Sequence, residues 1–241
     1  MARRFFATLC LTSAIAAPSA YAQSPAAKPT AKPAAAKASV GPLMASVDST
    51  LFRGLKYRLV GHSVGGRSTT VAGVPSDPKT YYMGVASGGA FKTTDGGVTW
   101  NPITDGKVPL GSTGSIAVAP SNERVVYLGT GSDGVRSNVS TGRGIYRSND
   151  AGATWSFVGL YNVGQIAAVR IHPTNPDIVW VAAYGDIFKP SNERGVFKTT
   201  DGGKSWKKTL YVSDSTGAMD VELMPGNPNV LYAWMNRIER K

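Results

Sequence analysis

Thiol chemistry is almost absent from this 241-residue chain: Cys10 is its one cysteine. Ahead of and around it stand Arg3 and Arg4, an apolar run over residues 5–17 and the small-residue site Ala20-Tyr21-Ala22. That pattern describes an export leader over residues 1–22. Ala7-Thr8-Leu9 before the cysteine is a poor lipid-attachment box, so no lipid anchor is expected. Past the leader no thiol remains. Disulfides and cysteine-bound metals are excluded there, and the fold has to hold by packing. Histidine is nearly as scarce. His62 and His172 stand beside turns with no second ligand at metal spacing, so neither metal nor cofactor is expected. No segment has a convincing helical period, and no apolar run is long enough to span a bilayer. Acidic residues are few, 15 against 26 lysines and arginines, for a formal charge of +11.

Much of that charge sits outside any foldable segment. Residues 23–47 are rich in Ala, Pro and Lys, cannot bury a core, and read as a semi-extended tether. Without Arg3, Arg4, Lys28, Lys32 and Lys37 the excess falls to +6 and forms no run. Nucleic acid is therefore not an expected partner.

What the chain has in abundance is repetition. Phe91-Lys92-Thr93-Thr94-Asp95-Gly96-Gly97-Val98-Thr99-Trp100 recurs as Tyr146–Trp155 and again as Phe197–Trp206. The aspartates Asp95, Asp150 and Asp201 are 55 and 51 residues apart, a propeller-like period. Each copy reads as a hairpin whose Asp accepts hydrogen bonds from its own turn and whose Gly takes the positive-φ corner. Four prolines, Pro75, Pro120, Pro173 and Pro225, open a second set of turns, with an aromatic seven residues later each time (Tyr82, Tyr127, Trp180, Tyr232). A second strand is expected five residues past each proline. The fold class is all-β, a β-propeller of four-stranded blades over residues 48–241. Complete units are expected at 68–104, 112–158 and 165–210. A fourth supplies two strands, near 218–224 and 230–235. Residues 57–61 resemble an outermost strand.

The aspartate turn resembles the Asp-box of bacterial neuraminidase-type (BNR) repeats. Longer strings are similar to the sortilin N-terminal-type propellers often labelled glycosyl hydrolases: Gly65-Gly66-Arg67, Gly84-Val85-Ala86-Ser87-Gly88-Gly89, Leu128-Gly129-Thr130-Gly131, Val181-Ala182-Ala183-Tyr184-Gly185 and Glu193-Arg194-Gly195-Val196-Phe197-Lys198. The likeness covers residues 52–234. Either the chain closes as a small four-bladed ring missing one strand, or it is the front of a longer propeller. The greater length of the family members it resembles favours the second, an incomplete propeller whose open edges invite association. The chain also partly resembles the Asp-box xyloglucan hydrolases. There the resemblance puts Ala86 where a catalytic Asp would stand. Sialidase chemistry would need an arginine triad, to which Arg67, Arg170 and Arg194 cannot be assigned, and a Tyr-Glu pair that is not legible.

Candidate sites follow from these units. Trp100, Trp155 and Trp206 suit either a sugar platform or packing between blades, and their regular repetition favours packing. Asp95, Asp150 and Asp201 suit turn capping better than cation binding. Asn138-Val139-Ser140 matches a glycosylation acceptor but follows a bacterial-looking leader. On the inner strands, small residues in blades one and two give way to Arg170 and then Glu222, expected to pair between blades with Asp220 near the channel. Long loops gather Asp133, Arg136, Arg143, Tyr161, Asp186, Lys189, Glu193 and Arg194 on one face, the expected ligand site. The expected function is an exported, periplasmic or extracellular, non-catalytic propeller binding peptide, protein or glycan. The alternatives are a glycoside hydrolase, or a fragment of a longer propeller protein.

Overall fold

Strand-forming residues alternate with proline and aspartate turns at so short a spacing that only antiparallel hairpins fit. The computed structural model describes Gly54, residues 67–136 and residues 138–238, and the chain builds there as all-β. All but Gly54 fall in a compact unit, Gly61–Lys241, and the unit Met1–Val60 lies otherwise outside the described residues. The leader, the tether, His62 and the strand expected at 57–61 therefore also lie outside them.

Blade one is β1 (Ser68–Val74), β2 (Asp77–Val85), β3 (Ala90–Thr93) and β4 (Asn101–Pro102). Blade two is β5 (Thr113–Ala119), β6 (Asn122–Thr130), β7 (Ile145–Ser148) and β8 (Ser156–Phe157). Blade three is β9 (Ile166–Ile171), β10 (Val179–Ala183), β11 (Gly195–Thr199) and β12 (Lys207–Leu210). Each is a four-stranded antiparallel sheet in sequence order, and β13 (Thr216–Met224) with β14 (Asn227–Arg237) forms a two-stranded fourth unit. The inner strands adjoin in the order β1, β5, β9, β13. The result is an open propeller arc.

The proline turns are tighter than expected in three units. Pro75-Ser76, Pro120-Ser121 and Pro225-Gly226 are two-residue turns, and the second strand begins at once at Asp77, Asn122 or Asn227. The reason is a side-chain turn: Asp77, Asn122 and Asn227 each accept the backbone N–H two residues on, closing the hairpin without further loop. In blade three Asn175 does the same for Asp177, but the connection stays open as far as Ile178. There Asp177 is taken up by blade two, 2.8 Å from the Arg147 guanidinium.

Core residues lie between blades. Tyr82 and Tyr127 are fully buried and Trp180 nearly so. Each faces a cation across the ladder: Lys92, Arg147 and Lys198 sit 5.3, 5.5 and 4.7 Å from the respective ring centroids. The hydroxyls of Tyr82 and Tyr127 reach the next blade, donating to the carbonyls of Ala151 and Pro176. In the reverse direction Trp155 and Trp206 donate their indole N–H to Ile103 and Val158 of the blade before.

Candidate functional site

In every aspartate turn the carboxylate is saturated by its neighbours. Asp150 accepts from the Ser148 hydroxyl at 2.7 Å, the Thr154 amide at 2.7 Å and the Thr154 hydroxyl at 2.6 Å. Asp95 and Asp201 repeat the pattern with Thr93/Thr99 and Thr199/Ser205. Gly96 and Gly202 take the left-handed corner in the outer copies and Ala151 takes it in the middle one. These bonds favour the ionised form. The Thr154 hydroxyl and amide hold Asp150 down at about 2, and the equivalent donors hold Asp95 and Asp201 well below the usual carboxylate range. Because the folded value lies below the unfolded one, the turns stabilise the fold fully above the ordinary value of 3.8 and lose that contribution as pH falls toward 2. The urea midpoint is expected to drop steeply between pH 4 and pH 2. An Asp150→Asn variant, titrated beside the parent chain, should start lower at pH 6 and fall less over that interval.

Arg170 lies between two carboxylates of the fourth unit. Its Nη2 is 3.2 Å from Asp220 Oδ1 and also bonds Glu222 Oε1. Asp220 additionally accepts the N–H of Val221. The guanidinium keeps the Glu222 carboxyl low, a state suited to an ion pair and unsuited to a general acid.

The loop face is built by the longer connections. Leu160 adopts a left-handed φ of 57°, which starts a short 3-10 turn over Tyr161–Val163 and buries Val163 in the core. The same turn throws Tyr161 outward, 54% exposed. Arg143 lies 5.9 Å from its ring centroid, and Phe157 meets it edge-on. Opposite stand the blade-three loop residues Asp186, Lys189 and Glu193, and together these side chains line a cleft of about 520 Å³. Five of the eight loop residues expected from sequence thus share one cleft. Asp133 and Arg136 do not line it: they bond each other at 2.8 Å within the blade-two loop.

Arg194 departs from expectation. It is 1% exposed and donates to the carbonyls of Asp186, Lys189, Ser215 and Ile238. It is an internal clamp that fixes the cleft wall, with no surface for a ligand. Asn162 and Asn192, which also line the cleft, went unnoticed in sequence because they sit in loops outside the repeat. Asn192 is itself positioned by the Tyr211 hydroxyl at 3.0 Å.

A second cleft, about 620 Å³, opens beside Ser87-Gly88-Gly89 in blade one. Asp105 is the one carboxylate among its described lining residues. Ala86, next to that string, offers no acid; its amide donates to the Arg67 carbonyl. Among the described residues no cluster of His, Cys, Asp and Glu fits a metal ion, and no helix is long and apolar enough to cross a membrane.

No family model matches the chain. It is 30% identical over 146 residues to a xyloglucanase of Acetivibrio thermocellus, covering 50% of this chain and 16% of that protein. A Paenibacillus xyloglucanase is 28% identical over 163 residues, covering 55% of this chain and 15% of that one. The chain thus spans about a sixth of the length of the curated relatives it matches. Among solved structures, an ancestral GH74 enzyme superposes with a TM-score of 0.55 at 22% identity, over 70% of this chain and 22% of that one. These likenesses place the arc among β-propellers, with homologues that are xyloglucanases.

Proposed function

We propose that this chain is a propeller segment that binds a β-glucan polysaccharide, xyloglucan the first to test, along its loop face without cleaving it. The cleft around Tyr161 carries the reading. An exposed aromatic ring offers a stacking surface for the apolar face of a sugar, and Asp186, Glu193, Asn162 and Arg143 offer hydrogen-bond partners for its hydroxyls. The xyloglucanase relatives supply the choice of polysaccharide. Binding without cleavage is supported by Ala86 in the acid's place. The leader-like residues 1–22 support action outside the cytoplasm, and the aspartate turns support kinship with the sortilin-type BNR propellers.

One observation favours a hydrolase as the second reading. Asp186 and Glu193 line the same cleft, and glycoside hydrolysis uses two carboxylates. Calorimetric titration with xyloglucan oligosaccharides, run beside a reducing-end assay, separates the two. Binding is expected with no new reducing ends. Tyr161→Ala should weaken it roughly tenfold, the loss of about 1.4 kcal/mol of stacking, with an unchanged melt. Reducing ends that vanish in Glu193→Gln would establish the hydrolase, and a wild type that binds no β-glucan sinks both readings.

A further inference from the structure

Tyr161 has a counterpart one blade on. Phe157 pairs with Tyr146 across the outer ladder of blade two, and four residues later Leu160-Tyr161 leads toward blade three. In blade three Lys208 pairs with Phe197, and three residues later the chain again reads Leu210-Tyr211. The packing repeats too. Phe157 meets Tyr146 and Tyr161 edge-on, at ring-centroid distances of 5.6 and 6.2 Å. Lys208 takes the same place between Phe197 and Tyr211, its ammonium 5.3 and 5.0 Å from the two centroids.

Blade one breaks the pattern. Pro102 pairs with Phe91 there, and no aromatic follows over residues 103–119. Its loop between second and third strands is also the short one, closing between Val85 and Ala90. Aromatic connections and long loops therefore occur together, in blades two and three.

Both tyrosine rings are open to solvent. Tyr161 is exposed although the blade-three loop stands complete beside it, so an ordinary following blade leaves this position uncovered. Tyr211 is 43% exposed. The tyrosines that hold blades together, Tyr82 and Tyr127, bury their rings completely. The Tyr211 hydroxyl donates to Asn192 Oδ1, and the Lys208 ammonium donates to the Asn192 carbonyl. Asn192 lines the same cleft as Tyr161, on the wall opposite. The second ring thus stands one hydrogen bond beyond the far wall of that cleft.

We propose that Tyr211 is a second sugar-stacking platform, and that the loop face holds one extended β-glucan chain running from Tyr161 across the blade-three loop to Tyr211. The proposal rests on the β-glucan reading of the cleft and adds to it a minimum ligand length. A chain that reaches one ring gains one stacking contact. A chain that spans both gains the second at high effective concentration, because its near end is held by the first. Lys208 steadies the Tyr211 ring through its cation contact. Asn192, its Oδ1 taken by Tyr211, presents Nδ2 to the hydroxyls of the crossing sugars.

Calorimetric titration with xyloglucan oligosaccharides of increasing length tests this. Affinity is expected to step up roughly tenfold once the oligosaccharide bridges both rings. Tyr211→Ala should abolish the step and spare the shortest oligosaccharide that binds, whereas Tyr161→Ala weakens every length. Tyr211→Phe loses the hydroxyl bond but keeps the ring, so the step should persist. The side chain is exposed, so both Tyr211 variants should keep the parent's melt. A wild type that binds with one affinity at every length overturns the second platform and leaves the single-ring cleft standing. Affinity lost in Tyr211→Ala at all lengths, or a step lost in Tyr211→Phe, means that Tyr211 acts by holding Asn192, and overturns the proposal equally. A wild type that binds no oligosaccharide of any length fails at the β-glucan reading itself, and the second platform falls with it.

Discussion

Replacing Arg194 by methionine should destabilise the fold by about 3 kcal/mol and unpin one wall of the cleft. The guanidinium is buried and spreads its donors over four carbonyls from three places: Asp186 and Lys189 in the blade-three loop, Ser215 before β13, and Ile238 after β14. Methionine fills most of the volume but donates nothing. Those acceptors lose a charged donor in a site with little access to water, at about 1–3 kcal/mol for each one left unmet. Partial rehydration keeps the total well below the sum. Lysine keeps the charge but cannot fork, so Arg194→Lys is expected to fall between methionine and the parent. With a urea slope of about 1–3 kcal/mol/M, the methionine variant's midpoint should shift down by roughly 1–3 M. Hydrogen exchange is the more telling readout. Protection should fall first at Ser191, whose amide donates to Asp214 across the same junction, and at Ile238, whose amide donates to Ser215. A variant as stable as the parent, with both amides still protected, would refute the clamp.

The clamp also shows where sequence stops being informative. Blade boundaries were legible because the Asp turn, the proline turn and the aromatic seven past each proline recur at fixed offsets, and a repeat reports on itself. The pairing of Arg170 with Glu222 was legible for a related reason: charge appeared in successive blades at the inner-strand position that Ala72 and Ala117 hold in blades one and two. Arg194 had no such frame. Its loop does not repeat, and two of its acceptors lie 21 and 44 residues along the chain, so nothing local distinguishes it from the solvated Lys189. Asp133 and Arg136 belong to the right loop, but at three residues apart they satisfy each other. The second strand's early start was missed because the Asx turn at Asp77, Asn122 and Asn227 substitutes for several residues of loop. Local patterns set the scaffold, and non-repeating loops set the cleft.

Gly129→Val should strongly destabilise the blade-to-blade contact, and a second substitution should repair part of it. Gly129 lies on β6 opposite Ser115, between the Ile116–Leu128 pair and the blade-two loop, and Ile166 of the inner strand of blade three packs over it. A Cβ there would overlap the Ile166 side chain, and Val169 Cγ2 would stand 3.5 Å from it. Ile166 and Val169 are both about 1% exposed and belong to the central cluster, so neither has room to retreat. Overpacking of this kind costs about 1–3 kcal/mol where neighbours can shift, and the rigid strand pair puts this site at or above the upper end. Ile166→Ala alone removes a buried side chain and costs about 2–5 kcal/mol. Combined, the added methyls enter the space that isoleucine leaves. The double variant is expected to be more stable than the sum of the single losses predicts, by about 0.5–3 kcal/mol of coupling measured from urea midpoints. Strict additivity would mean that blade three slides away from Gly129 instead of packing on it.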